Sequence, residues 1–399
     1  MINAGPEPRK SFIIRVLASV MVEPTAPEAR SSASLLALAD QCVQCGQCLP
    51  HCPTYRLDAT EAESPRGRIA YMKALAGGKF APTDAGDLHL DHCLGCRRCE
   101  SACPADVKYG ALLIGTRAAQ FQRSPDPATT RRRRRLLASP GLLRPLLAAY
   151  RNIYPLLPAA LRPLPRPEAG VPEPASSPTA DTALFVGCIA SGYESQARKS
   201  LVRMLAAAGA KAAIPRSQAC CGAAALHAGD TRQADAMATR NRSAFAGSGR
   251  VLCLASGCQE SLSASLGAGH EVQDAIAFLE SRSDSLRFRP AGGRRVALHL
   301  PCTLRSVTHG ENPLRRLLAL VPELELIELP DTGCCGAAGM HMFSQPERAD
   351  ALRAPLLQLL ANSGAQELLS SNLGCRLHLA NASPVRIRHP IEFLAEHLA

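Results

Sequence analysis

A chain of 399 residues has room for two or three domains, each with its own core. Its composition, 46% hydrophobic and 20% charged, is that of a folded globular protein and excludes a disordered chain. The net charge of +11 would suit nucleic acid, but no Trp and 4% aromatics leave little for base stacking, which points to an acidic protein or lipid surface instead.

No stretch of 18 apolar residues exists, so no membrane-spanning helix is predicted. The segment 11–22 follows Arg9 and Lys10 and faintly resembles a signal peptide, but Arg15 interrupts its apolar run. Residues 1–32 are therefore read as a flexible tail, with Met1 or Met21 as the start, and the chain as cytoplasmic. Seventeen cysteines without an export signal indicate a reducing compartment and metal ligation rather than disulfides.

Eight of those cysteines repeat one spacing. CVQCGQCLPHCP (Cys42, Cys45, Cys48, Cys52) and CLGCRRCESACP (Cys93, Cys96, Cys99, Cys103) both read C-x2-C-x2-C-x3-C-P, the run of ferredoxins with two [4Fe–4S] clusters. The rule for such runs crosses the fourth ligand. One cluster takes Cys42, Cys45, Cys48 and Cys103; the other takes Cys52, Cys93, Cys96 and Cys99. Structural zinc also accepts thiolates at x2 spacing, but needs no third regular cysteine before Cys-Pro. Residues 33–125 form this ferredoxin-like domain. The 40 residues between Cys52 and Cys93 make it mainly helical: Ser64-Pro65 opens a helix, Ile69, Met72 and Leu75 supply its apolar stripe, and Gly77-Gly78 closes it. Arg66, Arg68 and Lys73 there either stabilise anionic clusters or form a solvated basic face.

Residues 126–178 hold Arg131 to Arg135 and many prolines. They read as a linker of short amphipathic turns that docks on a partner or a membrane surface.

The remainder contains an internal repeat. Cys188, Cys220, Cys221, Gly222 and His227 recur 114 positions later as Cys302, Cys334, Cys335, Gly336 and His341; Gly257-Cys258 recurs 117 later as Gly374-Cys375. Each copy alternates short apolar strands with helices, which predicts two tandem α/β parallel-sheet repeats, 179–285 and 290–399. In such sheets ligands bind beyond the carboxyl ends of the strands. Cys188, Cys220, Cys221 and Cys258 should therefore converge in one copy, and Cys302, Cys334, Cys335 and Cys375 in the other, as candidate metal sites.

With both cysteine runs, the SPRGRIAYMK segment and two CCG loops in this order, the chain resembles the iron–sulfur subunits of glycolate oxidase. The resemblance covers roughly residues 35–395 and includes CPTYRL (52–57), ASGC (255–258), PCTL (301–304), CCGAAG (334–339) and NLGC (372–375). It implies an electron-transfer subunit of a membrane-associated 2-hydroxy-acid dehydrogenase complex. FAD would sit on a partner chain, and a quinone or other acceptor would lie at the inner membrane face. Similar subunits serve lactate and glycerol-3-phosphate dehydrogenases, which share the parts and leave substrate choice to the flavin chain. A zinc-stabilised interaction protein is the alternative of another class. Unlike heterodisulfide reductase, both copies lack a final cysteine: Ser261 and His378 stand there, so a further cluster, another metal or a structural role stays open for the four that remain. His227 and His341 are candidates to ligate, relay protons or tune a cluster, or are packed loop residues. His51 and His92 flank cluster ligands. Cys253, with Ser370 as counterpart, reads as an ordinary buried thiol.

Overall fold

A computed structural model describes residues 31–399 except 159, 160, 173, 175, 178 and 179. Apart from its last two positions the expected tail, with segment 11–22 and Met21, lies outside the described residues.

The inserted helix forms where its sequence signals stand. It spans Pro65–Ala76, with Pro65 at its first turn and the Ser64 hydroxyl accepting the Gly67 N–H at 2.9 Å. Its Ile69 and Met72 pack with Leu35 of the helix Ser32–Asp40 and Leu112 and Leu113 of the helix Tyr109–Arg123. This small helical core holds the two cysteine loops on its flank.

Residues 126–158 depart from the expectation of short turns. They build two helices, Ala128–Leu137 and Pro140–Ile153. Pro140 occupies the first helical position, where no N–H is needed; Pro145 lies inside the helix, at the loss of one backbone hydrogen bond, while Leu143 and Leu147 are buried. Arg134, out of the arginine run, is buried against Asp126 and Asp230.

Two small sheets follow, all parallel. Strands β1 (Thr182–Phe185), β2 (Arg250–Cys253) and β3 (Glu271–Asp274) pair in that order. Strands β4 (Arg295–His299), β5 (Glu325–Glu328), β6 (Glu367–Ser370) and β7 (Arg386–Arg388) pair as β5-β4-β6-β7. The segment KAAIP (211–215) forms no strand but makes a single bridge from Ala213 to Ala183 on the open edge of β1, where β5 sits beside β4 in the other sheet. Strands β3 and β7 lie at the opposite edges. Their sequences, EVQD and RIR, carry no apolar run that would announce them.

The sheets do not have separate interiors. Leu184, Leu201 and Met204 share one continuous core with Leu298, Leu314 and Phe393. The helix Pro390–His397 packs on the helix Ser195–Ala207 from the other half. A buried ion pair, Arg376 with Glu194, also crosses this boundary.

Candidate functional site

The two cysteine runs fold into the same loop. Gln44 (φ 56°) and Gly46 (φ 80°) flank Cys45, and Gly95 (φ 60°) and Arg97 (φ 58°) flank Cys96. Left-handed residues on both sides of the middle cysteine give the turn geometry that aims backbone N–H groups at an anion. The Gly95 N–H bonds to the Cys93 sulfur, and the Arg98 N–H to that of Cys96.

Cys42, Cys45, Cys48 and Cys103 line one surface cavity, along with Cys99, and Cys45 is exposed at it. Burial, with Cys42 and Cys45 close by, pushes the Cys48 thiol up to about 11. Deeper in, burial followed by repulsion, from Cys302 at Cys96 and from Cys96 at Cys99, holds both thiols well above their ordinary range. Cys93 is the opposite case. Burial raises it, but Arg68 and Arg117 outweigh that and bring it below the ordinary range. Thiols packed so that each ionisation opposes the next are relieved by a bound cationic centre. An all-sulfur donor set suits iron–sulfur clusters or zinc. One orphaned group fits an anionic cluster: the Arg117 Nε is buried and finds no acceptor.

Beyond the sheets the other cysteines gather as the strand-end rule requires. Cys188 and Cys220 lie 3.2 Å apart, with Cys221 bonded to Cys258. In the second set Cys335 and Cys375 are 3.1 Å apart, and Cys302 and Cys334 are 4.0 Å apart. Neighbouring thiols and burial raise all eight. Both CCG loops turn on a left-handed glycine, Gly222 (φ 87°) and Gly336 (φ 85°). A Cβ on Gly336 would stand 2.7 Å from the Ala349 carbonyl oxygen, while the nearest atom to one on Gly222 is 3.6 Å away.

The second set abuts the ferredoxin-like region directly. Cys96 packs with Cys302, Cys334, Leu94 and Leu352 in one cluster. Arg98 bridges the His51 carbonyl and the Asp331 carboxylate (2.6 Å), and Arg348 grips Asp58 at 2.6 Å. The first set packs instead among Phe185, Phe245 and Ala138. Its half reaches the region through His227, whose ring lies so close to Gly95 that a Cβ there would meet it at 3.0 Å.

Other candidates sort accordingly. Burial holds the His227 imidazole well below its usual range. His341 is pushed down to about 4 by burial; its Nδ1 meets the Gly336 carbonyl at 3.0 Å and its Nε2 is orphaned. His51 is exposed, Cys253 is fully buried in β2, and the His378 Nε2 meets the Ala349 carbonyl at 3.1 Å. His92 is bound to Glu63 through Nδ1 at 2.6 Å, as is His89 at 2.7 Å. That trio has metal-like spacing, but Arg68 and Arg348 already face the Glu63 carboxylate. Glu63, His89 and Arg117 escaped sequence reading, because only the folded packing brings them to the cysteine loops.

Comparison with known proteins agrees with this layout. The family described as "4Fe-4S dicluster domain" matches residues 38–107, and "Cysteine-rich domain" (CCG) matches 182–262 and 296–380. The chain is 29% identical over 384 residues to the "Glycolate oxidase iron-sulfur subunit" of Escherichia coli, covering 90% of this chain and 93% of that one. It is 29% identical over 400 residues to the "Probable glycolate oxidase iron-sulfur subunit" of Bacillus subtilis, covering 85% and 87%. One subunit of the anaerobic glycerol-3-phosphate dehydrogenase of Escherichia coli is 28% identical over 235 residues, 54% of this chain and 59% of that one.

Proposed function

We propose that this chain, an iron–sulfur subunit of the glycolate oxidase family, carries electrons from a FAD-containing partner subunit that oxidises a 2-hydroxy acid toward a membrane-side acceptor such as a quinone. The observation that carries this reading is the succession of cysteine sites. Cys45 is open at the surface, and Cys96 is half-buried and packed against Cys302 and Cys334 of the second half.

Two [4Fe–4S] clusters would be held by Cys42, Cys45, Cys48 and Cys103 and by Cys52, Cys93, Cys96 and Cys99. Bound clusters of this type take up and release single electrons. The chain's own residues position them. The Gly46 and Gly95 turns present backbone N–H groups, Tyr109 brings its hydroxyl within 3.4 Å of the Cys93 sulfur, and Thr54 lies 3.3 Å from that of Cys52. Arg98–Asp331 and Arg348–Asp58 clamp this region onto the second half. The quartets Cys188, Cys220, Cys221, Cys258 and Cys302, Cys334, Cys335, Cys375 are proposed as further metal or cluster sites. The sequence limits, 33–125 for the dicluster domain, 126–178 for the connection and 179–285 and 290–399 for tandem repeats, remain our division of the chain.

No helix among the described residues is long and apolar enough to cross a membrane. Attachment to the cytoplasmic face is proposed to be peripheral, through the helix Pro140–Ile153. Leu142, Leu146 and Ile153 are exposed there, in a stretch (127–167) with nine arginines and no acid.

The test is anaerobic copurification with the flavoprotein. About eight irons per chain, visible absorption and a reduced-state EPR signal are expected from two cubanes. Glycolate should reduce a dye through the assembled complex and not when this chain is omitted. Stoichiometric zinc with no colour, or full turnover without the chain, overturns the reading. A lactate or glycerol-3-phosphate panel on the same complex decides the substrate.

A further inference from the structure

Arg97 and Arg98, within the second cysteine loop, are both paired with carboxylates, and three further arginines nearby differ in what balances them. Arg66 is exposed, contacts the Gln44 carbonyl at 3.4 Å and is paired with Glu61 at 2.7 Å. Arg68 is buried, with its charge met by Glu63 at 2.5 Å. Arg117 is buried at 4% exposure and pairs with no carboxylate among the described residues.

Its guanidinium instead spans the junction between the Cys93 loop and the first half. Nη2 donates to the carbonyls of Leu90 (2.5 Å) and Cys93 (2.8 Å), with that of Asp91 at 3.3 Å. Nη1 donates to the His227 carbonyl and ring Nε2, both at 3.1 Å. Nε has no acceptor. No carboxylate among the described residues closes on it. His227 and His341 are buried and held neutral, first by burial and also by Arg117 itself. The Asp91 carboxylate attracts it from a distance but accepts from Gln120 at 3.1 Å and forms no ion pair with it.

Leaving a guanidinium buried and unpaired is strongly unfavourable, so an anion should complete the arrangement. The anion the chain provides there is the Cys93 side of the second cysteine quartet. A cubane with four thiolates is a dianion that gains one more charge on reduction. A fixed positive charge beside it favours the reduced form.

We infer that Arg117 is the fixed countercharge of the cluster held by Cys52, Cys93, Cys96 and Cys99, and that it makes this site more electron-affine than the site of Cys42, Cys45, Cys48 and Cys103. The inference rests on the ligand sets proposed above. It assigns a direction: one electron given up at the outer site is gained at the inner one, with no proton transferred, and the inner site faces Cys302 and Cys334. The outer site has no equivalent, since Arg66 is exposed and already neutralised.

EPR-monitored redox titration of the anaerobically purified, cluster-loaded full chain tests this. Cys45→Ser perturbs the outer signal and so assigns the other to the inner site. In the unsubstituted chain the inner site should be reduced first. Arg117→Gln should lower its electron affinity at least tenfold, about 59 mV for one electron, with the outer midpoint unmoved. Arg117→Lys, which keeps the charge, should stay within threefold. Unmoved midpoints in a Gln variant carrying both clusters overturn the countercharge and leave the electron-transfer reading intact. Equal shifts at both sites, or an outer site that reduces first in the unsubstituted chain, also overturn it. The second of these needs no variant to fold. Iron for a single cluster in the unsubstituted chain overturns the ligand sets and this inference together.

Discussion

The two halves built on β1–β3 and β4–β7 carry the same order of cysteines and the same strand-end placement, yet they meet the ferredoxin-like region differently. The second half offers sulfur to sulfur, Cys302 and Cys334 against Cys96, and reinforces the contact with Arg98–Asp331 and Arg348–Asp58. The first half offers a neutral imidazole to a guanidinium, His227 to Arg117, and a single carboxylate, Glu260, to Arg97. Even the turn after the leading cysteine differs: a short α-helix, Ala190–Tyr193, follows Cys188, whereas a π-helix, Leu304–Thr308, follows Cys302. π-helical turns concentrate at functional sites. A shared cysteine pattern thus marks two quartets without making them equivalent. In our reading the second continues the electron path and the first supports it from the side.

Removing thiols should separate the halves most widely. Cys334→Ala with Cys335→Ala should lower acceptor reduction by the assembled complex at least about a hundredfold, some 2.7 kcal/mol at 1.36 kcal/mol per tenfold. Cys220→Ala with Cys221→Ala should cost less than about tenfold. Steady-state rates with paired metal analysis measure both, and equal losses would break the distinction.

Acid should weaken the second half more. Burial holds His299 and His341 down to about 4 and His389 down to about 3, against an ordinary histidine pKa of about 6.5. The unfolded chain therefore binds protons that the folded chain refuses between about pH 6.5 and 4. Stability is full above the upper limit and is lost as pH falls through that window. At pH 5.5 each of the three costs about 1 kcal/mol. Urea midpoints at pH 7.5 and 5.5 check this, and His341→Gln should flatten the dependence. An unchanged slope in that variant would remove His341 from the account.

The CCG glycines give the finest comparison. Gly336→Ala combines left-handed strain with a clash against the Ala349 backbone, and should cost about 2–4 kcal/mol. Gly222→Ala makes only ordinary contact with Ala234, 3.6 Å away, and should cost about 1 kcal/mol. Chemical denaturation of the two variants ranks them, and equal costs would mean that the helix carrying Ala349 gives way.

The cysteine architecture was legible because metal ligands impose spacing that survives in one dimension. Strands β1, β2, β4 and β6 were legible because their buried faces demand short apolar runs. The edge strands β3 and β7 were not, since EVQD and RIR are drawn into their sheets by neighbours rather than by their own hydrophobicity. The proline-rich stretch misled for a related reason: Pro140 falls at a helix start, and burial of Leu143 and Leu147 carries the helix past Pro145. Arg117 left no mark at all. One more arginine in an amphipathic helix looks solvated until Leu90, Cys93 and His227 close around it.

The helix Pro390–His397, which packs on Ser195–Ala207, bears on how the molecule is made. The core around Leu184, Leu201 and Met204 stays open to water until residues 390–397 have been translated, although the first half precedes them by some two hundred positions. A nascent chain therefore cannot complete its halves one at a time in the order they emerge. Ribosome-stalled intermediates ending near residue 290 should expose apolar surface and call on chaperones, and the first half should become protease-resistant only when the second is present.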